Sequence, residues 1–456
     1  MALEAVFERF VRQSPLPVMA RLLMQRALSP EWLDALFEQH RQRQYTRELL
    51  FSTEVDLMAL VALGLRPSLH AAAQAHGELK VSLQALYDKV HHTEPEVVRA
   101  LVQGCRERLA PVLKHLKLQQ PSWAAGYRVR VLDGNHLAAS QKRLKPLRGF
   151  RGAALPGQSL VVYAPEWDLV VDMFPAEDAH AQERTLLGPV LERMQAGELW
   201  LADRNFSTTR ILFAIEDKQA AFLIREHGRS PHPAEVGPMK KVGRVETGVV
   251  FEQAVEVEDE QGRRLRLRRI ELQLEEPTED GESCIRLLTN VPAERMGAKE
   301  VAGLYRRRWS IEGMFGRLES VLKSEVRTLG YPRAALLAFG VAVMAYNVLA
   351  VILAAVEAEH RLQSTELSSY YVAGEVKATY GGMMIAIPEK LWRGFESQTD
   401  EELGKELLRM ASHVNPAKLR KHPRGPKKKV KKGYAPRQEV DRHVSTARVL
   451  RGDENT

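Results

Sequence analysis

The chain has 456 residues, 45% hydrophobic and 27% charged, a composition that excludes wholesale disorder and gives room for roughly two to four folded units. Its net charge of +8 and pI near 9.3 favour an acidic partner such as nucleic acid without naming one. The two cysteines, Cys105 and Cys284, lie far apart and outside any CxxC or Cys/His cluster, which excludes a disulfide framework and a zinc knuckle and suits a reducing cytosol. The opening MALEAVFERFVRQSPLP carries charges throughout and lacks the apolar run of a secretory signal, so export is not expected.

Residues 1–120 read as a helical N-terminal domain, with apolar positions at three- and four-residue spacing in Leu49 to Leu65 and Val81 to Leu109, the second opened by Ser82 as a cap. Pro111 and then Gln119-Gln120-Pro121 interrupt the pattern and set a boundary near 120. Three strands follow in RVRVLDGNHL (128–137), SLVVYAPE (159–166) and DLVVDMFP (168–175). After them come a helix in ERTLLGPVLERMQAG, a strand in ELWLADRNF, a helix in TTRILFAIEDK and a strand in AAFLIREH. This order resembles the ribonuclease H-like arrangement, in which the first and fourth strands are neighbours. The expected fold is therefore α/β, with that core over 121–330.

From about 228 to 283 short alternating segments, GVVFEQAVEVE and RRLRLRRIELQL, read as an all-β insertion. The strand CIRLLTNV precedes a long helix running from Ala298 through AKEVAGLYRRRWSIEGMFGRLESVLKSEV, and Pro332 marks a break. Residues 331–415 form a helical C-terminal region. Within it, Ala334 to Val356 carries no charge and is long enough to cross a bilayer; it reads as a membrane span or, preferred for its alanines and its central Tyr346 and Asn347, as a buried core helix. Residues 416–456, with KLRKHPRGPKKKVKKGY, read as a basic flexible tail.

Asp133 ends the β-branched run VRVLD, and Asp203 ends LWLAD, so both carboxylates emerge at strand mouths. Phosphoryl transfer by two metal ions needs hard anionic oxygens at such places, with the ions about 3.5–4 Å apart. Glu312, on the long helix, has the reach to join them. Taken singly, an Asp before Gly is ordinary turn chemistry and a Glu among arginines is an ordinary surface ion pair.

DGN at 133–135, LADRNFS at 201–207 and LYRRRWSIEGMF at 304–315 resemble the IS4-type transposases of the DDE class, over about residues 30–360. The family pattern is Tyr, two residues, Arg, three residues, Glu, six residues, Lys; Tyr305, Arg308 and Glu312 match it, and Glu319 stands where Lys belongs. The resemblance implies that Asp133, Asp203 and Glu312 are the catalytic, metal-binding carboxylates. It implies Mg2+, replaceable by Mn2+, as two ions per site, and cleavage of insertion-sequence ends with strand transfer into target DNA. It further implies a homodimer on paired ends, in a bacterial cytoplasm at the nucleoid, with no membrane partner.

Tyr305, Arg308 and Glu312 differ by three and four, one helical face, and Tyr305 and Arg308 are expected to grip the DNA end. Tyr305 also reads as a core aromatic and Arg308 as a surface ion pair. Lys323, a turn beyond Glu319, is the candidate replacement for the missing Lys, paired to Glu319 along the helix. Arg204 and Asn205 read equally as supports for the metal ligands and as loop geometry. Lys142, Arg143, Lys145, Arg148 and Arg151 form a basic loop suited to DNA phosphates or to solvent. Trp309 reads as a core knob, preferred, or as a stacking platform. The N-terminal helices are assigned to DNA-end binding. A same-fold nuclease without strand transfer and a catalytically silent DNA-binding derivative are the rival readings.

Overall fold

The computed structural model describes residues 2–44, 48–77, 79–116, 122–228, 230–278, 281–363, 366–422 and 443–452. The N-terminal part is helical: α1 (Ala2–Gln13), α2 (Pro15–Ala27), α3 (Pro30–His40), α4 (Phe51–Ala62), α5 (Leu69–His76), α6 (Leu83–His92) and α7 (Pro95–His115). The Ser82 hydroxyl accepts from the Ala85 N–H and caps α6, as its sequence position suggested. Contrary to expectation, α7 continues through Pro111. Leu109, Val112 and Leu113 are buried there, and their packing outweighs the backbone hydrogen bond that proline removes. The Gln119-Gln120-Pro121 break lies outside the described residues.

The strands are β1 (Arg128–His136), β2 (Ala153–Leu155), β3 (Gln158–Ala164), β4 (Leu169–Ala176), β5 (Glu198–Ala202), β6 (Ala221–Arg225), β7 (Ala234–Glu235), β8 (Lys240–Val245), β9 (Gly248–Glu258), β10 (Arg264–Leu274) and β11 (Cys284–Thr289). Among the described residues a ten-stranded sheet has the order β4-β3-β1-β5-β6-β11-β10-β9-β7, with β8 on β9. β1 runs antiparallel to β3 and parallel to β5, and β5 runs parallel to β6. The strands carrying Asp133 and Asp203 are thus neighbours. The segment read as an insertion is β-structured but not separate: β10 pairs along its length with β9 and over Arg268–Gln273 with β11, so these strands extend the central sheet.

Alternation along the strands gives the sheet two apolar faces. Val129, Val131, Leu199 and Leu201 belong to the larger core with the N-terminal helices, whereas Leu132, Trp200 and Ala202 pack on the other face against α8 (Leu187–Arg193) and α9 (Thr209–Asp217). The remaining helices are α10 (Ala298–Arg306), α11 (Ser310–Ser320), α12 (Pro332–His360), α13 (Ser369–Ala386), α14 (Glu389–Trp392) and α15 (Asp400–Ala411). Helices before residue 116 and after 332 share one continuous core, from Phe7 to Leu419.

α12 is apolar and long enough to cross a membrane, yet 94% of its most apolar window is buried inside the fold. Its polar pair has partners here. Asn347 Oδ1 accepts from the Val170 N–H (2.9 Å) and its Nδ2 donates to the Val170 carbonyl (2.9 Å), clamping β4. The residues read as a flexible tail hold structure at both described ends. Arg420 bridges to Leu367, and β12 (His443–Ser445) pairs with β2, followed by α16 (Thr446–Arg451). There Asp178 accepts from Ser445 Oγ and Arg448 Nε, both at 2.8 Å. The lysine-rich part, 423–442, lies outside the described residues.

Candidate active site

The register of β1 on β5 pairs Val131 with Leu201, so Asp133, within β1, and Asp203, just past the end of β5, each two residues further on, stand level on adjacent parallel strands. Alternation directs both to the face that carries Val131 and Leu201, the side against which α10 and α11 pack. Asp133 Oδ1 accepts from the Gly134 N–H (3.0 Å), and Asp203 Oδ1 accepts from the Asn205 N–H (2.8 Å), fixing each carboxylate by its own turn.

Arg308 stands between the acids. It donates to Asp133 Oδ2 at 2.7 Å and lies 3.7 Å from Glu312 Oε1, while its Nε–H has no partner among the described residues. Burial pushes the Asp133 carboxyl above its ordinary range; Arg308 opposes this and the charge of Asp203 adds to it. Burial works against Arg308's charge, but Tyr305 and Asp133 hold its pKa above the usual value. The site therefore carries an excess of negative charge that one guanidinium does not offset.

The long helix read from the sequence is broken. α10 ends at Arg306, Arg307–Trp309 form a 3-10 turn, and α11 ends at Ser320. The 3-10 turn tightens the path from Tyr305 to Glu312, yet Arg308 lies over the Tyr305 ring at 5.8 Å and 3.7 Å from Glu312, so the three side chains stay neighbours. Tyr305 is buried, its hydroxyl pKa pushed up to about 12 by that burial, and Arg308 is buried against Asp133; neither presents a surface that grips DNA in this conformation. Glu312 is 59% exposed at its side chain. Trp309, expected in the core, is 46% exposed. α11 is anchored by Arg317, which donates to Asp168 (2.7 Å), an acceptor shared with the Tyr346 hydroxyl (2.6 Å) of α12.

Lys323 lies beyond the end of α11, its N–H donating to the Ala62 carbonyl, so the helical spacing required for its pairing with Glu319 is absent. Glu319 instead lines a cleft of about 310 Å³ with Asn135, Glu312, Phe315 and Glu325. Arg204 pairs with Glu282 (3.1 Å), turned from the acids. Asn205 serves them: besides its N–H on Asp203, its Nδ2 donates to Glu183 Oε2 (3.3 Å). In the basic loop, Arg143, Lys145, Arg148 and Arg151 are exposed, and Lys142 is half-buried with its ammonium on the Phe150 carbonyl. Leu147 packs with Ala154 and Val444, so the chain end at β12 holds this loop in place.

Glu183 was not singled out in the sequence. It opens the 3-10 turn Glu183–Leu186, a position where acidic residues are commonplace, and only the fold brings it to Asp133 and Asp203. Among the described residues no three Asp, Glu, His or Cys side chains already converge as a metal cage. The donor chemistry nonetheless fits hard divalent cations: carboxylate oxygens on adjacent strands, with the Asp133 carboxyl raised first by burial and then by the charge of Asp203, and Glu312 linked to them through Arg308.

Residues 125–348 match the family model described as transposase DDE domain. No curated protein matches the chain. Among solved structures it resembles that of the piggyBac transposase synaptic complex with hairpin DNA, at 11% identity, 86% coverage of each chain and a TM-score of 0.39, a likeness too slight to transfer anything. The match over residues 125–348, a span that takes in Asp133, Asp203 and Glu312, supports a DDE transposase.

Proposed function

We propose that the chain is an IS4-type transposase with a ribonuclease H-like core that cleaves the ends of an insertion sequence and joins them to target DNA. The observation that carries this is the level placement of Asp133 and Asp203 on adjacent parallel strands within the matched span. Asp133, Asp203 and Glu312 would hold divalent ions, Mg2+ with Mn2+ as a substitute and two per site. When bound, such ions supply Lewis-acid polarisation of the phosphate and a water acidic enough to attack near neutral pH.

The chain's own residues do the rest. β1 and the end of β5 fix the two aspartates before DNA arrives, so no reorganisation is required during the in-line displacement at phosphorus. Water is the first nucleophile, and the freed 3′ hydroxyl is the second, attacking target DNA. Arg143, Lys145, Arg148 and Arg151 hold backbone phosphates at the rim, and Trp309 offers an exposed ring. Arg308 offsets charge at Asp133 until cations bind. Glu319 adds a carboxylate where the family pattern has a Lys, so the grip on the DNA end falls to the basic loop. The N-terminal helices are assigned to end recognition, and a homodimer on paired ends, acting at the nucleoid, completes the reading.

The test uses the DNA flanking the chain's own gene, pre-nicked at the end of its inverted repeat, with Mg2+ and a target duplex. Joined products are expected. Release of fragments without joining would replace this reading with that of a nuclease, and binding without cutting would leave a silent DNA-binding derivative.

A further inference from the structure

Glu312 sits in the first turn of α11, a helix of 11 residues weakened by Gly313 and Gly316 and set off from α10 by the 3-10 turn before it. The apolar face of α11, Ile311, Met314 and Leu318, is buried, but apolar burial has no direction and lets a short helix slide or roll. A directional contact has to set its height. Arg317 supplies one: its guanidinium donates to Asp168 Oδ1 (2.7 Å) and to the Tyr346 hydroxyl, and the hydroxyls of Tyr346 (2.6 Å) and Tyr163 donate to the same Asp168 oxygen. Asp168 holds this place in the turn between β3 and β4 at a φ of 50°, a left-handed conformation that persists in a residue with a Cβ where the surrounding contacts determine it. Burial works against the charge of Arg317, but Asp168 and Tyr346 hold its pKa above the usual value.

This hub lies at a set distance from the acids. Tyr163 pairs with Val131 across β3 and β1, and Asp133 stands two residues further along β1, about 7 Å away at the rise of a strand. Glu312 precedes Arg317 by five residues, about 7.5 Å at the rise of a helix. Val131 and Tyr163 share a core with Ile311 and Met314, and Arg308, just before α11, touches Asp133, so α11 starts at the acids and leads back to the hub. The two spans match. A helix whose Arg317 is fixed at Asp168 therefore carries Glu312 level with Asp133. We propose that Arg317 is a positioning residue for cation binding: fixed by Asp168, it holds α11 at the height at which Glu312 closes on the ions shared by Asp133 and Asp203. This rests on the reading of the site given above.

The test is calorimetric titration of the full chain with Mn2+ alone, with thermal melting and single-turnover cleavage of the element's terminal DNA read beside it. Arg317→Met should weaken Mn2+ binding about tenfold and slow cleavage by more than DNA affinity falls. Arg317→Lys, which keeps the charge and a donor, should recover part of both. Tyr346→Phe takes one hydroxyl from the hub and leaves the ring packed; it should shift Mn2+ affinity in the same direction, so the hub is tested even where Arg317→Met fails to fold. The control is Arg333→Met, which breaks an ion pair of similar exposure with Glu177 (2.9 Å) at the start of α12 and should lower the melting temperature with Mn2+ affinity at the wild-type value. Wild-type affinity in Arg317→Met and Tyr346→Phe, with loss in Asp203→Asn, would overturn the positioning role and leave the cation site standing. Equal weakening in Arg333→Met would overturn it too, by reducing Arg317 to general stability. Wild-type affinity in Asp203→Asn would remove the cation site, and this role with it.

Discussion

Replacing Arg308 by Met removes the guanidinium between Asp133 and Glu312 while keeping most of its buried stem. The two partners do not weigh equally. Glu312 is 59% exposed and 3.7 Å away, so solvent screening leaves that contact near zero. Asp133 is 18% exposed and 2.7 Å away, and it meets an Arg308 side chain only 9% exposed, which puts the loss there. Breaking a buried pair costs roughly 3–5 kcal/mol; the Gly134 N–H at 3.0 Å still serves the carboxylate, so about 3 kcal/mol is expected near neutral pH.

The pH dependence has a definite sign. Burial and Asp203 already raise the Asp133 pKa, and losing Arg308 raises it further. A carboxyl with a folded-state pKa above its unfolded value destabilises the fold at pH above the folded pKa, and the penalty fades as pH falls toward the unfolded value of about 4. The deficit of Arg308→Met should therefore shrink to about 1 kcal/mol near pH 4, the residue of a lost hydrogen bond. Thermal melting in metal-free buffer at both pH values reads this, and Arg308→Lys should recover part of it. A deficit that is equal at the two pH values, or larger in acid, would refute the assignment of Arg308 as the counter-charge of Asp133.

Asn347→Leu would leave the Val170 N–H and C=O buried without partners, a cost of about 3 kcal/mol that should appear as an earlier melting transition with DNA affinity of the folded protein unchanged. An unchanged melt would deny α12 its clamp on β4. Converting Arg143 and Arg148 together to Ala should lower the slope of log affinity against log salt by about 1.8, since each phosphate contact contributes roughly 0.9, as measured by fluorescence anisotropy on duplex DNA. An unaltered slope would take the basic loop out of the DNA interface.

The strand order was legible because each core strand is a compact β-branched run bounded by turn residues, and the ribonuclease H-like arrangement that it resembles put Asp133 beside Asp203. α12 was ambiguous because apolarity does not distinguish lipid from a protein interior; Tyr346 and Asn347 tipped the reading, and their partners Asp168 and Val170 show what polar atoms do in a core helix. The break at Arg307–Trp309 was not legible. The residues there suit an α-helix, and the tighter turn at Arg307–Trp309 depends on tertiary packing. For 228–283 alternation identified strands but not their partners, and pairing with β11 made them part of the main sheet. Arg308 was read as a DNA contact because arginine suits phosphate as well as carboxylate; its burial against Asp133 is a property of the fold.

The site stands or falls with Glu312, which matches the family pattern yet faces solvent away from a closed cage. The most direct measurement is cleavage of the element's own terminal DNA in Mg2+ by wild type, Asp133→Asn, Asp203→Asn and Glu312→Gln, with DNA affinity followed in parallel. Loss of cleavage by about a thousandfold in all three variants, with binding retained, is the expected result. Cleavage by Glu312→Gln at the wild-type rate would contradict the three-carboxylate site.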